Sequence, residues 1–317
     1  MTPVRGRFAP SPTGDMHVGN AFSALLAWLS IRARSGIMVL RMEDLDLSRV
    51  RPGSAERILE DLEWLGLDWD EGPVYQSNRF PKYDAAFHKL KQAGHVYPCF
   101  CSRRDVAAAA SAPQEPGDEM RYPGTCRNLV AGLAEERIRR GDRHVWRFRV
   151  EAPCGPPFRD LVYGDQGGPG TAPPGDFIVR RFDGSSSYHL AVTVDDMEMA
   201  ISEVVRGDDL LPSAARQILL FQALQGEPPA YGHVPLILGS DGARLSKRHH
   251  GVTVRDLREA GWTSCQVIGA LLELLAQDGS TAPGEFESWK NEFNLRQVKA
   301  CNSGIYWQRR LLDPTGR

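Results

Sequence analysis

The stretch Arg7-Phe8-Ala9-Pro10-Ser11-Pro12-Thr13-Gly14-Asp15-Met16-His17-Val18-Gly19-Asn20, followed at once by the apolar run Ala21 to Ile31, decides the fold. It predicts a short strand over 4–9 that ends in a Pro/Ser/Thr/Gly turn. The turn feeds a helix carrying Phe22, Leu25, Leu26 and Leu29 at helical spacing. Gly14 and Gly19 let backbone approach a ligand closely, and a helix N-terminus presents N–H groups to an anion. His17 adds a donor for a phosphate. This is the layout of a nucleotide site in an α/β protein; an ordinary strand–helix turn with an incidental histidine is the alternative.

Working outward, residues 36–46 form a continuous apolar run that ends in Glu43, Asp44 and Asp46. This pattern predicts a buried parallel strand with functional groups at its carboxyl end, where ligands sit in open α/β sheets. Glu43 is thereby placed to meet a cation such as an ammonium group, unless these are solvated acids of a surface turn. Residues 53–66 read as an amphipathic helix with Ser54 as N-cap and Gly66 as stop. Residues 67–73 read as a loop, and a further helix follows over 80–93.

From Cys99 the texture changes. Cys99, Cys101 and Cys126 lie close together in sequence, separated by an Ala/Pro/Gly-rich loop over 107–118. Three such cysteines suit Zn²⁺, which takes thiolates in a tetrahedral shell and needs a fourth ligand; three reduced thiols in a small core are the alternative. Residues 137–149 are the most basic stretch, read either as an arginine face for an RNA backbone or as a solvated face. Pro- and Gly-rich sequence over 153–175 marks the end of an inserted module. The central sheet is then expected to resume at 176–181, with further strands over 187–197 and 200–210. A helix over 212–225 and a last strand over 233–239 lead to the loop Ser240–Arg248. Helices over 253–260, 264–277 and 286–299 complete the pattern.

The chain has 317 residues, 42% of them hydrophobic and 25% charged, enough for a full core and more than one domain. A net charge of −2 excludes a generic polyanion binder, so any RNA contact must use a local basic face. No apolar run is long enough to cross a bilayer and no signal-peptide pattern opens the sequence, so a cytoplasmic protein without membrane contact is expected. Six cysteines then point to metal ligands or reduced thiols, with Cys154, Cys265 and Cys301 read as lone.

His17-Val18-Gly19-Asn20 resembles the first signature of class I aminoacyl-tRNA synthetases, His-Ile-Gly-His in its ideal form, with Asn20 in place of the second histidine. Arg7 to Gly14 is similar to the opening of the glutamyl/glutaminyl branch, as is Tyr75-Gln76-Ser77-Asn78-Arg79. Arg244-Leu245-Ser246-Lys247-Arg248 resembles the Lys-Met-Ser-Lys-Ser signature far downstream. The resemblance implies an α/β fold with a Rossmann-type parallel sheet. The catalytic domain would come in two halves, 1–96 and 176–239. Between them, 97–175 would be an inserted zinc-containing, acceptor-binding-like module. Residues 240–317 would hold the Lys-Ser loop and a helical stem-contact-like region.

The same resemblance implies ATP-dependent activation of an amino acid with Mg²⁺, a ligase chemistry in which His17 and Lys247 are catalytic. His17, Gly19, Asn20, Ser246 and Lys247 would face ATP. Arg7 would hold the α-carboxylate of glutamate, Glu43 its ammonium group, and Tyr188 and Arg206 its γ-carboxylate. Phe8, Ala9, Pro10 and Ser11 would complete the pocket. An arginine at 206 argues for glutamate, because the related glutaminyl enzymes lack it; a surface ion pair with Asp208 or Asp209 is the alternative for that residue. The phrase Cys99-x-Cys101…Tyr122-x-x-x-Cys126 resembles the zinc site of one subgroup, the glutamyl-queuosine tRNA(Asp) synthetases, with Tyr122 as the fourth ligand. Glutamyl-tRNA synthetases continue into an anticodon-binding domain that this reading does not expect here. The two features imply transfer of L-glutamate to queuosine at position 34 of tRNA(Asp) by a monomer. A short glutamyl-tRNA synthetase charging a 3′-end is the alternative. So is an idle glutamate sensor or tRNA-binding paralogue, against which His17 and Lys247 argue.

Overall fold

The computed structural model describes residues 2–109, 121–238, 252–276, 286–301 and 305–306. The chain begins with β1 (Arg5–Phe8), α1 (Val18–Arg32), β2 (Ile37–Met42), α2 (Ser54–Leu65), β3 (Glu71–Tyr75) and α3 (Phe80–Gln92). Next come β4 (Val96–Cys99), α4 (Arg103–Ala109), α5 (Ala131–Arg139), β5 (Val145–Phe148), β6 (Phe158–Asp160), β7 (Gly164–Gln166) and β8 (Phe177–Arg180). Then come α6 (Tyr188–Glu198), β9 (Glu203–Gly207), α7 (Leu211–Ala223), β10 (Ala230–Val234) and β11 (Ile237–Leu238). The last described elements are α8 (Val254–Glu259), α9 (Ser264–Ala276), α10 (Phe286–Glu292) and β12 (Ile305–Tyr306).

A five-stranded parallel sheet runs β10-β9-β1-β2-β3. Its central strand, β1, pairs with β2 on one side, Phe8 opposite Leu40, and with β9 on the other. Because the chain leaves β1 toward β2 and reaches β9 much later, the gap between β1 and β9 is where the winding reverses, and ligands bind outside the carboxyl ends of strands at such a point. The first helix explains itself by burial. Val18, Phe22, Leu25, Leu26, Leu29 and Ile31 are all within 1% of complete burial, because α1 lies between the sheet and α9 and α10. A helix covered on all sides needs no polar face. Each such leucine contributes about 2 kcal/mol through the apolar surface it removes from water.

Several expectations are corrected. The strand at 177–180 does not return to the central sheet: β8 pairs antiparallel with β5, which pairs with β4, forming a separate three-stranded sheet. Residues 187–197 are helical. The alternation of Tyr188, Leu190, Val192 and Val194 and their β-branched neighbours imitates a strand. However, the Ser187 hydroxyl accepts the Leu190 N–H at 3.4 Å as an N-cap, and Leu190, Ala191 and Val194 bury one helical face against Leu220 and Phe177. Part of the loop expected at 67–73 is β3, whose Val74 and Tyr75 sit opposite Arg41 and Met42. The cap of α2 is Gly53, not Ser54; it takes the left-handed conformation at φ 72° that glycine tolerates. The Ser54 hydroxyl instead donates to the Gly14 carbonyl at 2.5 Å and accepts the Gly14 N–H at 2.8 Å, tying α2 to the turn after β1. The run at 233–239 is divided: β10 ends at Val234 before Pro235, which has no N–H to donate, and β11 pairs with β12. The helix expected over 286–299 stops at Glu292, and a single 3₁₀ turn, Leu295–Gln297, follows.

Candidate active site

Charged side chains converge beneath the carboxyl ends of β1, β2 and β9. Arg7, on β1, is 4% exposed; its Nη1 donates to the Val205 carbonyl at 3.2 Å and its Nε lies 3.6 Å from Asp196 Oδ1. Arg41, on β2, is wholly buried and donates through Nη1 to Asp196 Oδ1 at 2.7 Å and through Nη2 to Glu43 Oε1 at 3.2 Å. Asp196, near the end of α6, thus faces both guanidinium groups, and Arg41 links it to Glu43. Beside it, Asp195 accepts from Gln76 Nε2 at 2.8 Å, Arg79 Nε at 2.6 Å and Tyr83 Oη at 3.0 Å. Removing one partner from such a buried network leaves a naked charge, at a cost of about 3–5 kcal/mol.

The electrostatics bind the expected residues into one neighbourhood. Burial disfavours the Arg41 charge, yet Asp196, Glu43 and Asp195 together raise its pKa above the ordinary value. Burial lowers the Arg7 pKa, opposed by Asp196 and assisted by Arg41 and Arg206. Burial pushes the Glu43 carboxyl up, while Arg41 and Arg7 pull against it. Tyr188, at the start of α6, is raised by burial and by Glu43 and pulled back by Arg206 and Arg7. Arg206, on β9, is 5% exposed, which rules out the surface ion pair. It donates to His233 Nε2 at 3.0 Å, Gln217 Oε1 at 2.9 Å and the Leu210 carbonyl at 3.2 Å. Two guanidinium groups, one carboxylate and a phenol complement a ligand with two carboxylates and an ammonium group.

Next to this cluster stands the start of α1. His17 is its extended N-cap and contributes no side-chain cap; the His17 carbonyl accepts the Asn20 N–H at 2.9 Å and the Ala21 N–H at 3.0 Å. A Cβ placed on Gly19 would meet no atom within 4 Å, so packing does not demand a glycine there. The Pro10 carbonyl accepts the Glu43 N–H at 2.9 Å, joining the two strand ends. Phe8 packs on the main core, Pro10 is buried, Ala9 is half-buried, and Ser11 and Asn20 are exposed. Ser246 and Lys247 lie outside the described residues. The segment after them is stitched to the first signature: Val18 N–H donates to the Val252 carbonyl at 3.1 Å, Val254 N–H to the Met16 carbonyl at 2.9 Å, and His17 bridges Thr253.

The cysteines converge as well. The sulfurs of Cys99, Cys101 and Cys126 lie within 4.8 Å of one another, with Cys101 and Cys126 3.6 Å apart. Tyr122 Oη is 3.3 Å from Cys99 Sγ and 3.7 Å from Cys101 Sγ, and it accepts the Cys126 N–H at 2.7 Å. Zn–S bonds of about 2.3 Å set the edge of a tetrahedron near about 3.8 Å, so these four donors fit one zinc ion. Burial pushes the Cys101 thiol up to about 11 without a metal. Among the described residues, Cys154, Cys265 and Cys301 belong to no such cluster.

The basic stretch is only partly a solvated face. Arg147 lies 3.9 Å from the Tyr122 ring centre, Arg149 4.9 Å from that of Tyr97, and Arg137 4.1 Å from that of Phe100. Sequence reasoning missed Arg41, Asp196, Asp160 and His233. The signal available was polar residues set within otherwise apolar runs, as in Val39-Leu40-Arg41-Met42.

The chain matches known proteins over most of its length. The family model for the catalytic domain of class I tRNA synthetases (E and Q) matches residues 3–300. The chain is 48% identical over 303 residues to the glutamyl-Q tRNA(Asp) synthetase of Symbiobacterium thermophilum, covering 92% of this chain and 93% of that one. It is 46% identical over 281 residues to the enzyme of the same name from Nitratidesulfovibrio vulgaris, with 86% of each covered. A crystal structure of a glutamate tRNA ligase from Elizabethkingia meningosepticum, in complex with its amino acid, superposes with a TM-score of 0.82 at 27% identity. That match covers 98% of this chain and 68% of the other.

Proposed function

Because the chain belongs to the family of glutamyl and glutaminyl class I tRNA synthetases, we propose that it activates L-glutamate with ATP and transfers it to queuosine at position 34 of tRNA(Asp). Membership makes it a ligase whose partners are ATP, an amino acid and tRNA. Two relatives that share 46% and 48% identity across most of both chains carry the queuosine assignment. The observation that carries glutamate is the pair of buried guanidinium groups of Arg7 and Arg206, with the partly buried Glu43 and Tyr188 in the same neighbourhood.

In the first half-reaction the substrate α-carboxylate attacks the α-phosphorus of ATP, the bond to pyrophosphate breaks, and glutamyl-adenylate forms. Little covalent chemistry falls to the protein, which positions the reactants and stabilises charge on the phosphorus. Arg7 would orient the attacking carboxylate, Glu43 would hold the ammonium group, and Tyr188 and Arg206 would hold the γ-carboxylate. His17, the first turn of α1 at Gly19 and Asn20, and Ser246 and Lys247 from the second signature would bear on the phosphates, with Mg²⁺ neutralising them when bound. The acceptor nucleophile then attacks the glutamyl carbonyl and AMP leaves. Cys99, Cys101, Tyr122 and Cys126 would hold a structural zinc ion that pins β4 to the segment ahead of α5.

ATP–pyrophosphate exchange tests the pocket. Glutamate supports exchange without tRNA and glutamine does not. Arg206→Ala raises the glutamate KM at least about tenfold, the scale of a lost charge-assisted hydrogen bond. An unchanged glutamate KM in that variant contradicts the assignment.

A further inference from the structure

Arg206 is held by a relay that begins in the stretch from β4 to β8. Asp160, at the end of β6, is fully buried, and its carboxylate accepts four N–H groups. Oδ1 takes the backbone N–H of Val162 and of Tyr163, each at 2.9 Å. The His233 backbone N–H lies 3.2 Å from both oxygens, and His233 Nδ1 lies 2.6 Å from Oδ2. Burial works against the Asp160 charge, but His233 and the two backbone donors hold its carboxyl below the usual range. An ionised carboxylate only accepts, so Nδ1 of His233 must carry the proton. Its Nε2 is then a bare lone pair, and it faces the Nε–H of Arg206 at 3.0 Å. Burial and the neighbouring Arg206 lower the His233 pKa, with Asp160 opposing, which keeps the imidazole neutral.

The geometry leaves Arg206 with a defined remainder. A guanidinium has five N–H groups. Among the described residues, His233, Gln217 and the Leu210 carbonyl take three of them, leaving two for a ligand, the number a carboxylate can engage. The Tyr231 ring stacks on His233 with centroids 6.0 Å apart, and Arg206 lies 5.2 Å from the Tyr231 ring centre, so the imidazole cannot tilt away freely. The Leu161 N–H donates to the Tyr231 carbonyl at 2.8 Å, which docks the β6 hairpin along β10.

We propose that Asp160 and His233 are positioning residues that set the tautomer and the angle at which Arg206 meets the substrate side-chain carboxylate. This rests on the glutamate reading of the pocket given above. It makes the stretch from β4 to β8 a determinant of amino-acid choice in the catalytic sheet.

Two substitutions at one position separate positioning from mere packing. His233→Asn keeps a donor for Asp160 but cannot reach Arg206, whereas His233→Gln offers an oxygen at the distance of Nε2. In ATP–pyrophosphate exchange, His233→Asn is expected to raise the glutamate KM about tenfold or more, with kcat and the ATP KM changed less than about threefold. His233→Gln recovers most of that loss. Wild-type enzyme without glutamate-dependent exchange overturns the pocket reading and the relay with it. Exchange in the wild type with an unchanged glutamate KM in His233→Asn overturns the relay alone. Equal losses toward ATP and glutamate in both variants, or misfolding of both, overturn it too by assigning His233 a purely structural role.

Discussion

Asp61, on α2, is fully buried, and among the described residues neither of its carboxylate oxygens has a hydrogen-bond partner. The Arg255 Nη2 nitrogen lies 3.7 Å away, and burial raises the Asp61 pKa to about 6, with Arg255 opposing. The folded-state value exceeds the ordinary 3.8, so between those two values the folded chain holds a proton that the unfolded chain releases. Stability therefore falls as pH rises through that window, by up to about 1.4 kcal/mol per unit, and stays lower above it. Asp61→Asn is expected to remove this slope and to stabilise the protein at pH 7 by about 1–3 kcal/mol. Denaturation midpoints at pH 5 and pH 7 check it; an Asn variant with the wild-type difference between them contradicts it. The same scale shows which residues a sequence can reveal. The family resemblance singles out Arg7, Glu43, Tyr188 and Arg206, and the fold brings these four into one electrostatic neighbourhood. Arg41, Asp196 and His233 were not legible, because an apolar pattern reports that a strand is buried and says nothing of which polar groups find each other inside it.

At the scale of elements, period and capping decide less than packing. The first helix and β2 were legible because an apolar run bounded by Gly and Pro leaves few alternatives. The segment at 188–198 was not, since its β-branched residues fit a strand and only the Ser187 cap and the surface offered by α7 make it a helix. Likewise, nothing in the Phe177-Ile178-Val179-Arg180 pattern specifies which sheet it joins; pairing with β5 is a long-range choice. The cysteine element makes its own prediction. Purified protein is expected to contain about one zinc per chain, as a closed four-donor site requires. Cys126→Ser is expected to lose the metal and to lower the unfolding temperature. Tyr122→Phe is expected to bind it more weakly while keeping the three sulfurs. Metal analysis that finds no zinc in the wild type, with no response of the unfolding temperature to a chelator, contradicts the site.

Across the whole molecule, the charged cluster sits where β1 and β9 meet, at the reversal of winding, with the start of α1 beside it. The stretch from β4 to β8 reaches this point twice: through β6, whose Asp160 touches β10, and through the small sheet that leads from the cysteines back to α6. The segment following the second signature returns to the first at Val252 to Val254. No described helix is long and apolar enough to cross a membrane. The claim that most depends on all these parts together is the choice of RNA acceptor, and it is tested by following radiolabelled glutamate with ATP into purified tRNA. Label is expected in tRNA(Asp) that contains queuosine and none in queuosine-free tRNA(Asp) or in tRNA(Glu). Labelling of tRNA(Glu) at its 3′-end, with none in queuosine-containing tRNA(Asp), would contradict it.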